Sequence, residues 1–128
     1  MDFVNGKPIG QDIHEDFEPL KIGKGYDHCW VIDGHEAGQL QFCGELYAPE
    51  SGRVMEVFTT QPGVQVYTGN WLAGCPAGKN GHEYGDYTGV AIECQNYPNA
   101  VNEPRFPSVV LTPEQTYCQK IVFKLGLM

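Results

Sequence analysis

The chain has 128 residues, of which 8 are basic and 16 acidic, and its formal net charge is −8. This length suits one ordinary domain, and the charge excludes a surface that follows nucleic-acid phosphates or anionic lipids, because such surfaces need clustered Lys and Arg. A neutral ligand such as a sugar is compatible with this charge.

Gly and Pro, 16 and 9 residues respectively, punctuate the chain in the rhythm of short strands joined by turns. Residues 1–26 are predicted to form an irregular arm with one helical turn near residues 12–17. Strands and long loops fill residues 27–128, and no long segment has the 3.6-residue period of a helix. The predicted strands are residues 28–32, 39–48, 53–60, 64–68, 90–95, 108–111 and 117–125.

These patterns predict an all-β fold of antiparallel hairpins. The segment 69–89 is rich in Gly, Asn and Tyr, with a turn predicted at Asn80-Gly81, and loops of this length are usually functional or disordered. The arm carries apolar side chains without an obvious sheet to cover, and several strands have large aromatic side chains on both faces. We therefore expect the chain to be part of a larger sheet system.

Five cysteines occur at wide, irregular spacing and form no C-x-x-C pair, which excludes a zinc knuckle and a thioredoxin-like motif. We expect them to be buried, reduced thiols. They are Cys29, Cys43, Cys75, Cys94 and Cys118. The run Asp27-His28-Cys29 contains metal-ligand types without the spacing of a metal site, so we predict no metal.

The first residues lack the apolar core of a secretory signal, and no apolar stretch is long enough to span a bilayer. We expect a soluble, cytoplasmic protein without a membrane partner. A targeting segment upstream of this chain remains an open alternative.

Two predicted strands carry polar side chains among apolar ones. By the two-residue period, Gln65 shares a face with Tyr67, and Glu93 shares a face with Gln95. Such groups are costly in a sheet unless they are paired or line a wet cavity. Taken alone, Glu93 is more simply a solvent-facing strand residue, while the alternative is a groove that suits polyhydroxylated ligands. Trp71, beside the long loop, is a candidate for contact with such a ligand.

Five ordered segments resemble the aldose 1-epimerase family. They are residues 25–28 (GYDH), 51–57 (SGRVMEV), 59–70 (TTQPGVQVYTGN), 89–102 (GVAIECQNYPNAVN) and 104–107 (PRFP). Their order and separations also match, and the resemblance covers nearly the whole chain. It implies that residues 1–128 correspond to the C-terminal third of a single, large antiparallel β-sandwich domain of the galactose mutarotase type.

The resemblance also implies roles for single residues. Glu93 matches the general base that takes the proton from the anomeric hydroxyl of an aldohexose, and Asp27 and Gln65 match residues that contact the sugar. Mutarotation needs this base and an acid at the ring oxygen, so that the ring opens to the aldehyde and closes on the other face. Neither a metal nor an organic cofactor is implied. In the family the acid is a histidine of the N-terminal two-thirds, so we expect this chain alone to be inactive.

Three alternatives remain beside a mutarotase fragment. A non-catalytic carbohydrate-binding module would bind monosaccharides without speeding anomer exchange. A sugar-phosphate epimerase would need a basic cluster, which the scattered Arg53, Lys79 and Arg105 do not provide. An isolated sheet fragment would self-associate through uncovered sheet surfaces, which we expect of this chain. We do not expect a histidine of the chain to replace the acid, and His28 should point away from Asp27.

Overall fold

The structure, a computed structural model, describes residues 1–128 and contains six strands and one short α-helix. The strands are β1 (Asp27–Val31), β2 (Gln41–Ala48), β3 (Arg53–Thr59), β4 (Gly63–Tyr67), β5 (Ala91–Gln95) and β6 (Ile121–Leu127). One sheet has the strand order β1-β4-β5 and the other has the order β2-β3-β6. The all-β, antiparallel fold class predicted from the sequence is confirmed.

Backbone hydrogen bonds fix the direction of β1 against β4. The N–H of Ile32 donates to the carbonyl of Pro62 at 3.0 Å, and the N–H of Thr68 donates to the carbonyl of Tyr26 at 3.1 Å. The end of β1 therefore meets the start of β4, which is the antiparallel arrangement. This pairing determines which side chains of the two strands become neighbours.

The second sheet is antiparallel at both of its pairings. In β2 and β3, Ala48 lies opposite Arg53, and in β3 and β6, Val57 lies opposite Phe123. The register of β2 shifts between Phe42 and Gly44, so an extra residue bulges from this strand. Val57 is buried at the centre of the sheet.

The arm differs from its prediction. The helical turn expected at residues 12–17 lies later, as helix α1 at Glu18–Gly23. Pro19 suits the first turn of a helix, where a backbone N–H has no intrahelical partner, and Lys24 ends the helix in the left-handed conformation with φ 55°. Leu20 of α1 is buried, so the arm covers apolar side chains of its own. Three 3-10 turns lie at Ile9–Gln11, Lys79–Gly81 and Ala100–Asn102.

The prediction of a strand at residues 108–111 is wrong, and the last strand begins at Ile121 rather than at residue 117. Residues 108–111 are exposed and belong to neither sheet. Their β-branched side chains favour a strand only where a neighbouring strand and a packed face are available. The sequence pattern does not reveal whether such a neighbour exists.

The chain divides into two compact units. Unit 1 comprises residues 1–28 and 65–92, with the buried Tyr26 in its core, and unit 2 comprises residues 29–64 and 93–128. The division passes through the strands of the β1-β4-β5 sheet. A single domain over residues 1–128 stays a prediction.

The five cysteines are free thiols. Cys29, Cys43 and Cys94 are half-buried, but Cys75 and Cys118 are exposed, so the expectation of burial is wrong for these two. Both exposed cysteines lie outside the strands, where no sheet covers them. None of the helices is long and apolar enough to cross a membrane.

Candidate functional site

Two of the residues singled out in the sequence meet where β1 and β4 pair. The Nε2 of Gln65 donates to Oδ1 of Asp27 at 2.7 Å. The nitrogen of the Gln65 amide makes this bond, because only its N–H can donate to a carboxylate. The amide oxygen, Oε1, is buried and has no hydrogen-bond partner. Asp27 is exposed, and a carboxylate has a second oxygen that can accept a bond. We call Asp27 and Gln65 the open pair, because the amide oxygen of Gln65 has no hydrogen-bond partner and the carboxylate of Asp27 is exposed.

A cavity of about 510 Å³ in unit 1 is lined by Asp27 of the open pair but not by Gln65. Its volume lies in the range of small-molecule sites, ~300–1,000 Å³. Its wall includes two acidic residues, one histidine and one tryptophan, and helix α1 adds one of the acidic residues, Glu18, together with apolar groups. The lining residues are Glu18, Pro19, Ile22, Gly23, Asp27, His28 and Trp71.

His28 lies at this cavity together with Asp27, so the expectation that the two point apart is wrong. The backbone N–H of Asp27 donates to Nδ1 of His28 at 3.0 Å. The imidazole therefore bends back toward the first residue of β1 instead of following the alternation of a regular strand. Strand alternation fixes the direction of the Cβ atom, whereas the side-chain torsions of His28 place its imidazole.

Trp71 forms part of the same wall, and 52% of it is exposed. The Nζ of Lys24 lies 3.8 Å from the centroid of its ring, which is a cation–π contact. The backbone N–H of Trp71 donates to the hydroxyl of Tyr67 at 3.1 Å. One face of the indole is thus occupied by the ammonium group of Lys24.

A buried group of polar residues lies next to the open pair. Tyr26 and Asn70 are 0% exposed and Thr68 is 2% exposed. The Nδ2 of Asn70 donates to the carbonyls of Gly23 and Tyr26 at 2.8 and 2.9 Å, and the hydroxyl of Thr68 donates to Oδ1 of Asn70 at 2.5 Å. We call Tyr26, Thr68 and Asn70 the closed cluster, because these hydrogen bonds all remain within the protein.

The closed cluster positions the open pair. Its hydrogen bonds join Tyr26, the residue before β1, to Thr68 and Asn70, which follow β4. Tyr26 is one residue from Asp27, and Thr68 is three residues from Gln65. Gly25 allows this close approach, since a Cβ there would lie 2.6 Å from Oδ1 of Asn70 and the φ angle is 142°. Sequence analysis missed the cluster. The available signal was the polar run Thr68-Gly69-Asn70 directly after a strand.

Glu93 lies in the middle of β5, the strand next to β4 in sheet order. It is exposed and belongs to unit 2, whereas the open pair belongs to unit 1. The four ion pairs of the structure involve other residues. Its role as a base stays a prediction.

The half-buried thiol of Cys43 lies near Cys94, the residue after Glu93. Burial, together with the neighbouring thiol, raises the pKa of Cys43 to about 12. A thiol with so high a pKa is a poor nucleophile at neutral pH, so Cys43 is a packing residue rather than a reactive one. The structure contains no group of three or more His, Cys, Asp or Glu side chains that could hold a metal ion.

A model of the aldose 1-epimerase family matches residues 1–124. The galactose mutarotase of Homo sapiens is 43% identical over 118 residues, which cover 86% of this chain and 34% of that protein. The aldose 1-epimerase of Haemophilus influenzae is 40% identical over 106 residues, which cover 83% of this chain and 29% of that protein.

A similar fold occurs in a solved structure. The crystal structure of a GalM/aldose epimerase homologue from C. elegans matches with a TM-score of 0.70 and 29% sequence identity, covering 80% of this chain and 30% of that one. The present chain therefore spans about a third of the length of the curated relatives it matches.

Proposed function

The chain belongs to the aldose 1-epimerase family, and from this membership we propose that it supplies the base and two sugar contacts of a mutarotase site. The reaction would interconvert the α and β anomers of an aldohexose such as galactose or glucose. Because the chain spans about a third of its relatives, we propose a share of the site rather than a complete enzyme. A cytoplasmic location also stays a prediction.

The observation that carries this proposal is the open pair. A buried acceptor without a partner costs about 1–3 kcal/mol, and Oε1 of Gln65 is such an acceptor. A rotation of the Gln65 side chain that brings Oε1 to the cavity would let a ligand hydroxyl donate to it and offset this cost, and a second hydroxyl would donate to the carboxylate of Asp27. Neutral ligands with several neighbouring hydroxyl groups fit this arrangement, and the net charge of −8 disfavours phosphorylated ones.

We propose Glu93 as the general base. Its carboxylate would take the proton of the C1 hydroxyl while the bond between C1 and the ring oxygen breaks, and an acid would protonate the ring oxygen. Rotation about the C1–C2 bond and closure on the other carbonyl face then give the opposite anomer, with both protons returned. No cofactor enters this balance.

Trp71 is proposed as a further sugar contact. The indole face opposite Lys24 would lie against the C–H groups of the ring, since aromatic faces combine apolar area with a fixed orientation. The position of Trp71 in the wall that also contains Asp27 supports this assignment. Replacing Trp71 by Leu should weaken binding without changing the fold.

We assign no acid within residues 1–128. His28 is the histidine nearest to the open pair in sequence, but its Nδ1 accepts the backbone N–H of Asp27, and we propose no catalytic role for it. The isolated chain should therefore bind an aldohexose and accelerate its anomer exchange little, because general acid and general base each contribute about 10²–10⁴-fold.

Binding tests the proposal directly. Saturation-transfer NMR with galactose should show saturable binding to the chain, and Asp27→Asn should weaken it about 10-fold, the effect of losing one charged hydrogen bond. The matched control is Asp33→Asn, which changes an exposed carboxylate in the turn after β1. Failure of the unaltered chain to bind any aldohexose would refute the proposed site.

A non-catalytic carbohydrate-binding module is the second candidate, and the absence of an assigned acid favours it. Anomer exchange followed by polarimetry separates the two candidates. If the chain has residual activity, Glu93→Gln should abolish it while sparing binding, and Glu45→Gln, at an exposed mid-strand carboxylate of β2, should change neither. Equal activity of the chain and its Glu93→Gln variant would favour the binding module.

A further inference from the structure

Two residues of unit 1 have a backbone conformation that their residue types rarely adopt. The residues other than glycine with a positive φ angle are Lys24, Asn80, Tyr87 and Asn99. Asparagine tolerates this conformation, whereas lysine and tyrosine are uncommon in it. Lys24 and Tyr87 have φ angles of 55° and 63°. Residues of this kind cluster at functional sites, so we expect a role for both that offsets the cost.

Lys24 ends helix α1 at a position where glycine is the usual residue, because glycine has no Cβ to clash in the left-handed conformation. Glycines occupy the positions on both sides, Gly23 and Gly25, but not this one. The backbone N–H of Lys24 donates to the carbonyls of Leu20 and Lys21, and any residue other than proline can supply that bond. The lysine side chain is therefore expected to make a contact that glycine could not make.

Lys24 and Tyr87 contact each other and connect helix α1 to both ends of the segment 69–89. The hydroxyl of Tyr87 donates to the carbonyl of Lys24 at 2.5 Å, and its N–H donates to the carbonyl of Gly69 at 2.9 Å. The Nζ of Lys24 lies 3.8 Å from the ring centroid of Trp71. Lys24 thus contacts Trp71 through its side chain and Tyr87 through its carbonyl, and all four residues belong to unit 1.

Neither Lys24 nor Tyr87 lines the cavity of about 510 Å³ that Trp71 and Asp27 line. Both line a smaller cavity of about 240 Å³ instead. A molecule in the larger cavity would therefore touch Trp71 without touching Lys24 or Tyr87. Any effect of these two residues on such a molecule has to act through the indole.

We propose that Lys24 and Tyr87 are positioning residues that hold the indole of Trp71 in the cavity wall before a sugar binds. The inference rests on the proposed function, in which Trp71 contacts an aldohexose. The hydrogen bond from Tyr87 fixes the backbone of Lys24, and the ammonium group fixes the exposed indole through the cation–π contact. A side chain that is already ordered loses less conformational freedom on binding, so the sugar binds more tightly.

Lys24→Gly separates this role from a purely structural one. Glycine removes the strain of the positive φ angle, so the urea unfolding midpoint should not fall. Loss of the ammonium group should nevertheless weaken galactose binding about 2- to 5-fold, which corresponds to an exposed cation–π contact. Titration by saturation-transfer NMR and urea unfolding of the same preparation give both values. A residue that serves only the fold would lower the midpoint and leave binding by the folded protein unchanged.

Two further variants identify the cause of the weaker binding. Lys24→Arg keeps a cation over the ring and should bind galactose within about 2-fold of the unaltered chain. Asn80→Gly is the matched control, because Asn80 has a φ angle of 58° in the same segment, is exposed and lines neither cavity. It makes a similar change to the backbone, so it should leave galactose binding unchanged.

Proton NMR reports the contact itself without a sugar. The ring current of Trp71 should shift the methylene protons next to Nζ of Lys24 upfield, because the ammonium group lies over the ring. Tyr87→Phe removes the hydroxyl that donates to the carbonyl of Lys24 and keeps the ring that contacts His14. It should reduce this upfield shift and weaken galactose binding by less than Lys24→Gly does, and Trp71→Leu should abolish the shift.

Four results would overturn this inference alone if the unaltered chain binds galactose. The first is equal binding by Lys24→Gly, and the second is a lower urea midpoint of that variant. The third is the lack of an upfield shift of the Lys24 methylene protons. The fourth is binding by Lys24→Arg that is as weak as binding by Lys24→Gly. If the unaltered chain binds no aldohexose, the proposed function fails, and this inference fails with it.

Discussion

The closed cluster and the open pair occupy neighbouring positions where β1 and β4 meet, yet they differ in burial and in hydrogen bonding. Asn70 of the closed cluster is 0% exposed and donates to two carbonyls. Gln65 of the open pair makes one bond, to an exposed carboxylate, and keeps a buried oxygen without a partner. Polar groups that satisfy one another hold a fold together, whereas polar groups left with an open acceptor are suited to a ligand.

This difference predicts that changes in the closed cluster act on stability, and that changes in the open pair act on binding.

Gly25→Ala should destabilise the fold most. The new Cβ would lie 2.6 Å from Oδ1 of Asn70, and the φ angle of 142° is unfavourable for any side chain, so we expect a loss of about 3 kcal/mol or more. Gly34→Ala is the control, because its φ is 67° but nothing lies within 4 Å, and it should cost about 1–2 kcal/mol. Urea unfolding measures both, and equal losses would contradict the steric argument.

Asn70→Ala should rank second. It removes a buried amide and leaves the carbonyls of Gly23 and Tyr26 without this donor, so we expect about 2–4 kcal/mol of lost stability. Asn102→Ala, which removes an exposed bond to Asn99, should stay within about 0.5 kcal/mol of the unaltered chain. A small effect of Asn70→Ala would mean that the cluster does not organise unit 1.

Gln65→Leu should leave stability nearly unchanged, within about 1 kcal/mol, because the lost bond to Asp27 is exposed and the buried oxygen without a partner is also removed. Galactose binding should weaken at least about 10-fold. Urea unfolding and saturation-transfer NMR on one preparation give both values. A large loss of stability with retained binding would reverse the roles assigned to the closed cluster and the open pair.

The ion pair between Lys7 and Asp12 should have the smallest effect. Its hydrogen bond lowers the pKa of Asp12 and raises the pKa of Lys7. The contribution of Asp12 is therefore present above its unfolded-state pKa and lost as pH falls through its lower folded-state pKa, while that of Lys7 is lost as pH rises through its raised pKa. Asp12→Asn should reduce the fall of the urea unfolding midpoint with decreasing pH, measured between about pH 2 and pH 7. If the midpoint of Asp12→Asn falls as steeply as that of the unaltered chain, this pair is not the source of the fall.

The sequence was most informative where a strand has a regular period and a paired neighbour. Alternation in β4 and β5 located Gln65 and Glu93, and the resemblance of the GYDH segment added Asp27. The contact between Asp27 and Gln65 spans 38 residues of sequence, and periodicity alone does not reveal a contact between separate strands. The resemblance indicated both residues, and the structure adds their direct hydrogen bond.

The sequence was least informative where side chains, rather than the backbone, provide the order. Asn70 lies in the Gly-rich segment 69–89, which was interpreted as a loop, although its side chain is buried. The predicted direction of His28 was wrong because strand alternation fixes the direction of the Cβ atom and not the torsions that place the imidazole. Residues 108–111 have strand-forming side chains without a strand beside them.

The ammonium group of Lys24 above Trp71 has an optical consequence. Trp30 is half-buried whereas Trp71 is exposed, so acrylamide should quench chiefly the emission of Trp71. A positive charge 3.8 Å from the ring centroid shifts the wavelength of that emission. Any molecule that displaces Lys24 or covers the exposed part of Trp71 would alter both signals, which gives the cavity an intrinsic fluorescent reporter.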